Sequence, residues 1–130
     1  MRQPLGEISH LSGMLENLQI LVLEDEFLIA MDVEQLCLDN GAAGVKVISD
    51  IKDVDGNLEF DAAIVDVYLN GVSTFDFADT LREAGKPFVF ASGYSDNAEV
   101  AARFPGIVMV SKPYAGNDLI EAVARASGRV

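Results

Sequence analysis

The feature that most constrains the fold is a series of short, almost wholly apolar segments that alternate with longer helix-like stretches. Continuous apolar strands indicate a sheet that is covered on both faces, and parallel strands require crossover connections, which the helix-like stretches supply. The pattern therefore predicts a three-layer α/β fold built from five β-α repeats. The predicted strands are residues 19–23, 45–48, 62–65, 88–91 and 107–110.

The stretches between the strands carry signals that begin and end helices. Gly41 and Gly85 are ordinary stop signals after the first and third helix. Ser73 followed by Asp76 resembles a capping box at the start of the third helix. We expect a doubly wound parallel sheet with the strand order 2-1-3-4-5. The predicted helices are residues 26–40, 52–59, 74–84, 96–103 and 118–126.

Composition limits the number of domains and the classes of partner. The chain has 130 residues, 50% of them hydrophobic, which suffices for one core. Its formal net charge of -12 argues against binding the phosphate backbone of nucleic acid. No apolar run approaches the roughly 18 residues of a membrane span, so we expect a cytoplasmic protein without membrane insertion. The lone Cys37 is predicted to be a buried thiol without a disulfide.

Residues 1–18 are interpreted as a leader that precedes a single domain at residues 19–130. His10, the only histidine, lies in this polar leader and is expected to be solvated, so the core has no histidine chemistry. Four apolar residues of the leader have helical spacing, which predicts either an extra amphipathic helix or part of a dimer contact. They are Leu11, Met14, Leu15 and Leu18.

Polar side chains follow four of the five predicted strands. Sheets of this kind bind ligands at the carboxyl ends of their strands, near the point where the strand order reverses. The second strand ends at Asp50, but it would lie at the edge of the sheet, so Asp50 is left out of the predicted site. The candidate residues are Glu24, Asp25 and Glu26 after the first strand, Asp66 after the third, Ser92 and Gly93 after the fourth, and Ser111, Lys112 and Pro113 after the fifth.

Three carboxylates with oxygen-bearing partners are the ligands that Mg²⁺ prefers, whereas one histidine and one cysteine do not suit zinc. A carboxylate beside such a cation can act as a nucleophile toward a phosphoryl group, because the cation offsets the repulsion between two anions. Asp66 is the predicted nucleophile. Mg²⁺, the Lys112 ammonium and the Ser92 hydroxyl could share the three equatorial phosphoryl oxygens.

This ordered set of residues resembles the response-regulator receiver domains of two-component signalling, over nearly the whole span of residues 19–127. Glu24 and Asp25 are similar to the acidic pair of that family, and Asp66 is similar to its phosphoacceptor. Ser92 matches the switch hydroxyl, and Lys112 matches the lysine that a proline follows. The resemblance implies a flavodoxin-like fold.

The resemblance also implies how a cation and a phosphoryl group would be held. Asp25 and Asp66 would bind Mg²⁺ directly, Glu24 would act mainly through water, and the Tyr68 backbone carbonyl would be a further ligand. Backbone amides near Tyr68 and Gly93 would hold phosphoryl oxygens.

The resemblance implies that residues near the last two strands form the conformational switch. A cis peptide before Pro113 would aim Lys112 inward. The residues 90–94, Phe-Ala-Ser-Gly-Tyr, resemble the signature of the FAT GUY receivers. Met109 stands where receivers commonly have a rotating aromatic residue, so Tyr94 and the loop from Gly93 onward are expected to carry the conformational response.

The implied function is a single-domain response regulator that catalyses only its own phosphorylation and dephosphorylation. The donor would be a histidine kinase or a histidine phosphotransfer protein, and the output would be binding of a downstream protein. A phosphate sink for a shared kinase and a degenerate receiver that binds a partner without phosphorylation are the alternatives. A dehalogenase-type phosphatase would need an Asp where this chain has Tyr68, and the glycine-rich phosphate loops of nucleotide-binding proteins are absent from the sequence.

Overall fold

The computed structural model describes residues 13–56, 59–93, 96–112, 114 and 117–129. Strands and helices alternate along the chain as the apolar segments predict. The strands are β1 (Gln19–Leu23), β2 (Gly44–Ile48), β3 (Ala62–Asp66), β4 (Tyr68–Leu69), β5 (Val72–Ser73), β6 (Phe88–Ser92) and β7 (Met109–Ser111). The helices are α1 (Phe27–Asp39), α2 (Phe75–Glu83), α3 (Asn97–Arg103) and α4 (Asp118–Ala126).

Five parallel strands form one sheet in the order β2-β1-β3-β6-β7. Counted along the chain, this is the predicted order 2-1-3-4-5 of a flavodoxin-like fold, which is thereby confirmed. Leu23 pairs with both Ile48 and Val65, so the ends of the first three strands are level. Ser92 pairs with Ser111 at the end of the last two strands. The residues that follow the strands therefore meet along one edge.

Both faces of the sheet are buried, as the continuous apolar strands predict. On one face, Ile20, Val22 and Ile64 pack with α1 and α4. On the other face, Leu21 and Val65 pack with α2 and α3. The alternation of side chains along each strand thus divides the core into two layers, with helices outside each of them.

The segment before β3 differs from the prediction. Among the described residues of this segment, a 3₁₀ turn at Ile51–Asp53 replaces the start of the helix predicted for residues 52–59. The Asp50 side chain accepts a hydrogen bond of 3.0 Å from the Lys52 amide, which stabilises a tight turn at the start of the segment. Residues 57 and 58 lie outside the described residues.

A two-stranded hairpin of β4 and β5 follows β3, which the pattern of apolar segments does not predict. Asn70 and Gly71, the two residues of its turn, have positive φ angles of 52° and 78°. An Asn-Gly pair favours such a turn because both residues tolerate the left-handed region. The N-cap of α2 is Thr74 and not Ser73, whose hydroxyl instead accepts the Phe75 amide hydrogen at 3.2 Å.

The described end of the leader packs on the domain. Leu15 and Leu18 are buried in the same layer of the core as α1 and α4. Residues 13–17 form turns, and the Leu15 amide donates to the Asn40 carbonyl at 2.9 Å. Gly41 has a φ of 95°, and a Cβ there would come within 3.1 Å of the Glu16 Cα. A glycine is therefore required where the leader crosses the end of α1.

Two residues of the leader, His10 and Leu11, lie outside the described residues. No helix in the described part of the chain has the length and apolar character needed to cross a bilayer.

Candidate functional site

Three carboxylates meet where β1 and β3 end. Glu24, Asp25 and Asp66 each offer a carboxylate oxygen, and these oxygens all lie within 4.8 Å of one another. Glu24 is only 2% exposed and Asp66 8%, while Asp25 is half-buried. They come together because β1 and β3 are neighbours in the sheet with their ends in register. Three carboxylates this close repel one another unless a bound cation or a proton reduces their negative charge.

Lys112 supplies a positive charge to this cluster. Its Nζ lies 2.8 Å from Oε1 of Glu24 and 2.8 Å from Oδ2 of Asp66. The backbone holds it there, since the Lys112 amide donates to the Ser92 carbonyl at 2.9 Å beside the end of β6. Burial lowers the pKa of Lys112, but the hydrogen bonds to Asp66 and Glu24 raise it, and the net shift is upward. Lys112 is thus a permanent cation between two carboxylates.

Burial raises the pKa of the Asp66 carboxyl to about 6, although the hydrogen bond and the charge of Lys112 oppose this shift. Glu24 and Asp25 raise the pKa further through like-charge repulsion. At neutral pH the ionised carboxylate still dominates, so Asp66 keeps a nucleophilic oxygen. Burial and like-charge repulsion destabilise the ionised form of Asp66. A cation that binds this carboxylate relieves the destabilisation, so binding is favoured.

The donor set of the cluster fits Mg²⁺. Both Glu24 oxygens have protein donors, because Oε1 contacts Lys112 and Oε2 accepts the Glu26 amide hydrogen at 3.0 Å. This is consistent with the indirect, water-mediated role that the resemblance implies for Glu24. Asp25 and Asp66 each use Oδ2 for a donor among the described residues, which leaves Oδ1 of each for a hard cation.

Ser92 lies at the end of β6 and is fully buried. Its hydroxyl donates to Oδ1 of Asn97, the first residue of α3, at 3.3 Å. Gly93 follows it at the exposed mouth of the site. Tyr94 and Pro113, which the sequence analysis assigned to the switch, lie outside the described residues, as does the predicted cis peptide.

Tyr68 links the segment after Asp66 to α3. Its side chain is 40% exposed, and its hydroxyl donates to Oε1 of Glu99 at 3.0 Å. That hydrogen bond to the carboxylate raises the pKa of the phenol. Met109 packs against the apolar layer beneath α2 and α3. The ligand role of the Tyr68 carbonyl stays a prediction.

Two residues of the site were not identified from the sequence. Thr74 is fully buried, and its hydroxyl contacts the backbone carbonyls of Asp66 at 2.6 Å and Val67 at 3.0 Å. It therefore holds the chain directly after the carboxylate of β3. Asn70 reaches Asp25 through its backbone amide at 3.0 Å. The Asn-Gly pair was the signal in the sequence for this second contact. Asp50 takes no part in the cluster, as expected.

Comparison with known proteins identifies the fold by structure and not by sequence. No family model and no curated protein match the chain. A response regulator receiver protein from Sinorhizobium medicae matches with a TM-score of 0.75 and 25% identity, over 88% of this chain and 97% of that one. The N-terminal signal receiver domain of a response regulator from Bacteroides fragilis matches with a TM-score of 0.70 and 22% identity, over 84% and 95%.

A longer protein also matches. The anti-anti-sigma factor PhyR from Bartonella quintana has a TM-score of 0.74 and 21% identity, over 95% of this chain. The match spans 54% of PhyR, so this chain corresponds to about half of that protein. The structural neighbours of the chain are receiver domains of response regulators, and its five-stranded sheet has their fold.

Proposed function

We propose that this chain is a Mg²⁺-dependent receiver domain that accepts a phosphoryl group on Asp66. The observation that carries the proposal is the arrangement around Asp66 at the end of β3. Its carboxylate contacts Lys112 at 2.8 Å and has two further carboxylates within 4.8 Å. The fold of receiver domains supports the same assignment.

In the proposed reaction, a carboxylate oxygen of Asp66 attacks the phosphorus of a phosphohistidine. A P–O bond forms, the P–N bond breaks, and the imidazole leaves with the electron pair of that bond and takes up a proton. Lys112 and the Ser92 hydroxyl stabilise charge on the phosphoryl oxygens. The domain turns over no external metabolite, because the acyl phosphate is hydrolysed at the same site.

Asp25 and Asp66 would hold the cation directly, with the Tyr68 carbonyl as a further ligand and Glu24 behind a water molecule. When bound, Mg²⁺ supplies positive charge that offsets the repulsion between Asp66 and the phosphoryl donor. Lys112 keeps Asp66 ionised and oriented before the donor arrives, since its ammonium holds Oδ2.

The start of α1 offers a surface for the donor protein. Phe27 and Leu28 are each 74% exposed, and Met31 is 49% exposed, directly after the acidic residues of the site. Exposed apolar residues grouped in this way are typical of protein-binding surfaces. We propose a histidine kinase or a histidine phosphotransfer protein as the donor, in the cytoplasm, and binding of a further protein as the output.

The response to phosphorylation is proposed to pass through α3. If the Ser92 hydroxyl turns to a phosphoryl oxygen, its hydrogen bond to Asn97 at the start of α3 is lost. Tyr68, two residues after Asp66, contacts Glu99 on the same helix. These two contacts provide a route for the conformational response. Such a route is needed because Met109 lacks the aromatic ring that commonly rotates in the switch of receiver domains. The sequence at residues 90–94 supports the further proposal that the chain belongs to the FAT GUY subgroup.

The test is the intact mass of the protein after incubation with acetyl phosphate and Mg²⁺. We expect a gain of about 80 Da that is absent from Asp66→Asn and absent with a chelator. Asp50→Asn is the matched control, because Asp50 also follows a strand but lies outside the cluster. Wild-type protein that gains no mass and does not bind beryllofluoride would reject the proposal in favour of an unphosphorylated interaction domain.

A further inference from the structure

The turn between β4 and β5 brings Asn70 over the carboxylate cluster. Tyr68 pairs with Ser73 and Leu69 with Val72, so the hairpin is closed by the two residues Asn70 and Gly71. Both have positive φ angles, as a two-residue turn of this kind requires. The peptide amide of Asn70 consequently points away from the hairpin and is free to bond elsewhere.

Asn70 donates hydrogen bonds from its backbone amide and from its side-chain amide to residues that follow two other strands. Its backbone amide donates to Oδ2 of Asp25 at 3.0 Å, after the end of β1. Its side-chain amide donates to the carbonyl of Ser49 at 2.8 Å, after the end of β2. The side chain therefore anchors the residue whose backbone amide holds the carboxylate.

Asp25 depends on this contact more than its neighbours do. Lys112 pairs with Glu24 and Asp66, whereas the donor that Asp25 has in the described part of the chain is the Asn70 amide. Asp25 is also the most exposed of the three carboxylates, so burial restrains it least.

We infer that Asn70 is a positioning residue for the metal site: its anchored turn fixes Asp25 with Oδ2 engaged and Oδ1 directed to the cation. This inference rests on the proposed function. Donors that orient metal-binding side chains typically change metal affinity by roughly 10- to 100-fold when they are removed. Asn70 differs from such a donor in that its side chain acts through its own backbone.

The test compares Asn70→Gly with Asn17→Gly. Glycine adopts a positive φ readily and keeps the backbone amide at residue 70, while it removes the side-chain anchor to Ser49. Asn17 is a matched control, because it is the other described asparagine with a positive φ and lies in the leader, away from the cluster. Mg²⁺ affinity is measured by NMR titration of the backbone amides, without any phosphoryl donor.

We expect Asn70→Gly to weaken Mg²⁺ binding by roughly tenfold and Asn17→Gly to leave it unchanged. The phosphorylation rate of Asn70→Gly should fall at low Mg²⁺ and recover to the wild-type rate at saturating Mg²⁺. A role in stability alone would not produce this recovery. Wild-type Mg²⁺ affinity in Asn70→Gly would overturn the inference and leave the proposed function standing.

Failure of the proposed function has a different result. Wild-type protein that binds Mg²⁺ but gains no phosphoryl group on Asp66 would reject the function, while weakened binding in Asn70→Gly would still support the positioning role. Wild-type protein that shows no Mg²⁺-dependent shifts at residues 24–25 and 66–70 would overturn both.

Discussion

Replacing Lys112 by methionine tests the electrostatics of the site most directly. Methionine keeps much of the length and the apolar contacts of the lysine stem but removes the ammonium. In the wild type that ammonium contacts Glu24 and Asp66, each at 2.8 Å. The variant therefore leaves two buried carboxylates and the nearby Asp25 without their cation.

The expected loss follows from these two contacts. Hydrogen bonds to charged groups contribute about 1.5–3 kcal/mol each, and breaking a buried ion pair by removing one partner costs about 3–5 kcal/mol. The Lys112 side chain is 17% exposed, so water screens part of the charge and the lower part of this range applies. Partial protonation of Asp66 at neutral pH recovers some of the cost, because its pKa rises when the lysine is lost. We expect the free energy of unfolding to fall by about 2–3 kcal/mol at pH 7.

The assay is urea unfolding at pH 7 in the presence of a chelator. Lys46→Met is the control, since Lys46 is an exposed lysine on β2. The double variant Lys112→Met with Asp66→Asn should regain about 1–2 kcal/mol, because one of the unpaired carboxylates is gone. Mg²⁺ should stabilise Lys112→Met by more than it stabilises the wild type.

One result would refute this reasoning. If Lys112→Met unfolds within about 0.5 kcal/mol of the Lys46→Met control, then the carboxylates do not depend on Lys112 for their burial. They would be solvated or protonated in solution, and the cluster would not be poised to attract a cation.

The other predictions concern the protonation of Asp66, the hydrogen bond from Thr74 to the backbone and the thiol of Cys37. Burial raises the pKa of Asp66 to about 6, so ionisation of this carboxyl should cost the metal-free protein up to about 3 kcal/mol of stability as the pH rises from about 4 to 7, and urea unfolding of Asp66→Asn should lack this loss. Protons compete for the same oxygens, so Mg²⁺ titrations at two pH values should show binding weakened by about fivefold between pH 6 and pH 5. Thr74→Val should cost about 1–2 kcal/mol in urea unfolding, while Thr74→Ser should lose less, because only serine keeps the donor to the Asp66 carbonyl. Burial, and to a smaller extent Glu34, raises the pKa of the Cys37 thiol to about 12, so iodoacetamide should label it only when the protein unfolds; rapid labelling of native protein would contradict its position in the core.

Local patterns along the chain determine much of this fold. Four of the five predicted strands are almost wholly apolar, all five form strands of the sheet, and β1 occupies the predicted residues 19–23. A strand that is covered on both faces must be apolar at successive positions, so its location can be read without knowing its partners. The same reasoning places Glu24, Asp25, Asp66 and Lys112 at strand ends before the sheet is assembled.

Other features depended on contacts between distant residues. Asp25 and Asn70 are 45 positions apart in the sequence and form a 3.0 Å hydrogen bond only because the turn of β4 and β5 reaches back over β1. Leu15 looked like part of a separate leader, yet it is buried in the core because the chain crosses the end of α1. The 3₁₀ turn at Ile51–Asp53, at the start of the helix predicted for residues 52–59, likewise reflects a hydrogen bond from the Lys52 amide to Asp50 that helical periodicity does not reveal.

There is a physical reason why the sequence predicts some of these features and only the tertiary structure determines the others. Burial of apolar side chains is nearly non-directional, so a local pattern of apolar residues suffices to predict which segments enter the core. A hydrogen bond or an ion pair needs its two atoms at about 3 Å, and that distance is set by strand register and turn geometry. The sequence alone therefore identified which chemical groups line the edge of the sheet, whereas only the tertiary structure decided that Lys112 joins Glu24 to Asp66 and that Asn70 holds Asp25.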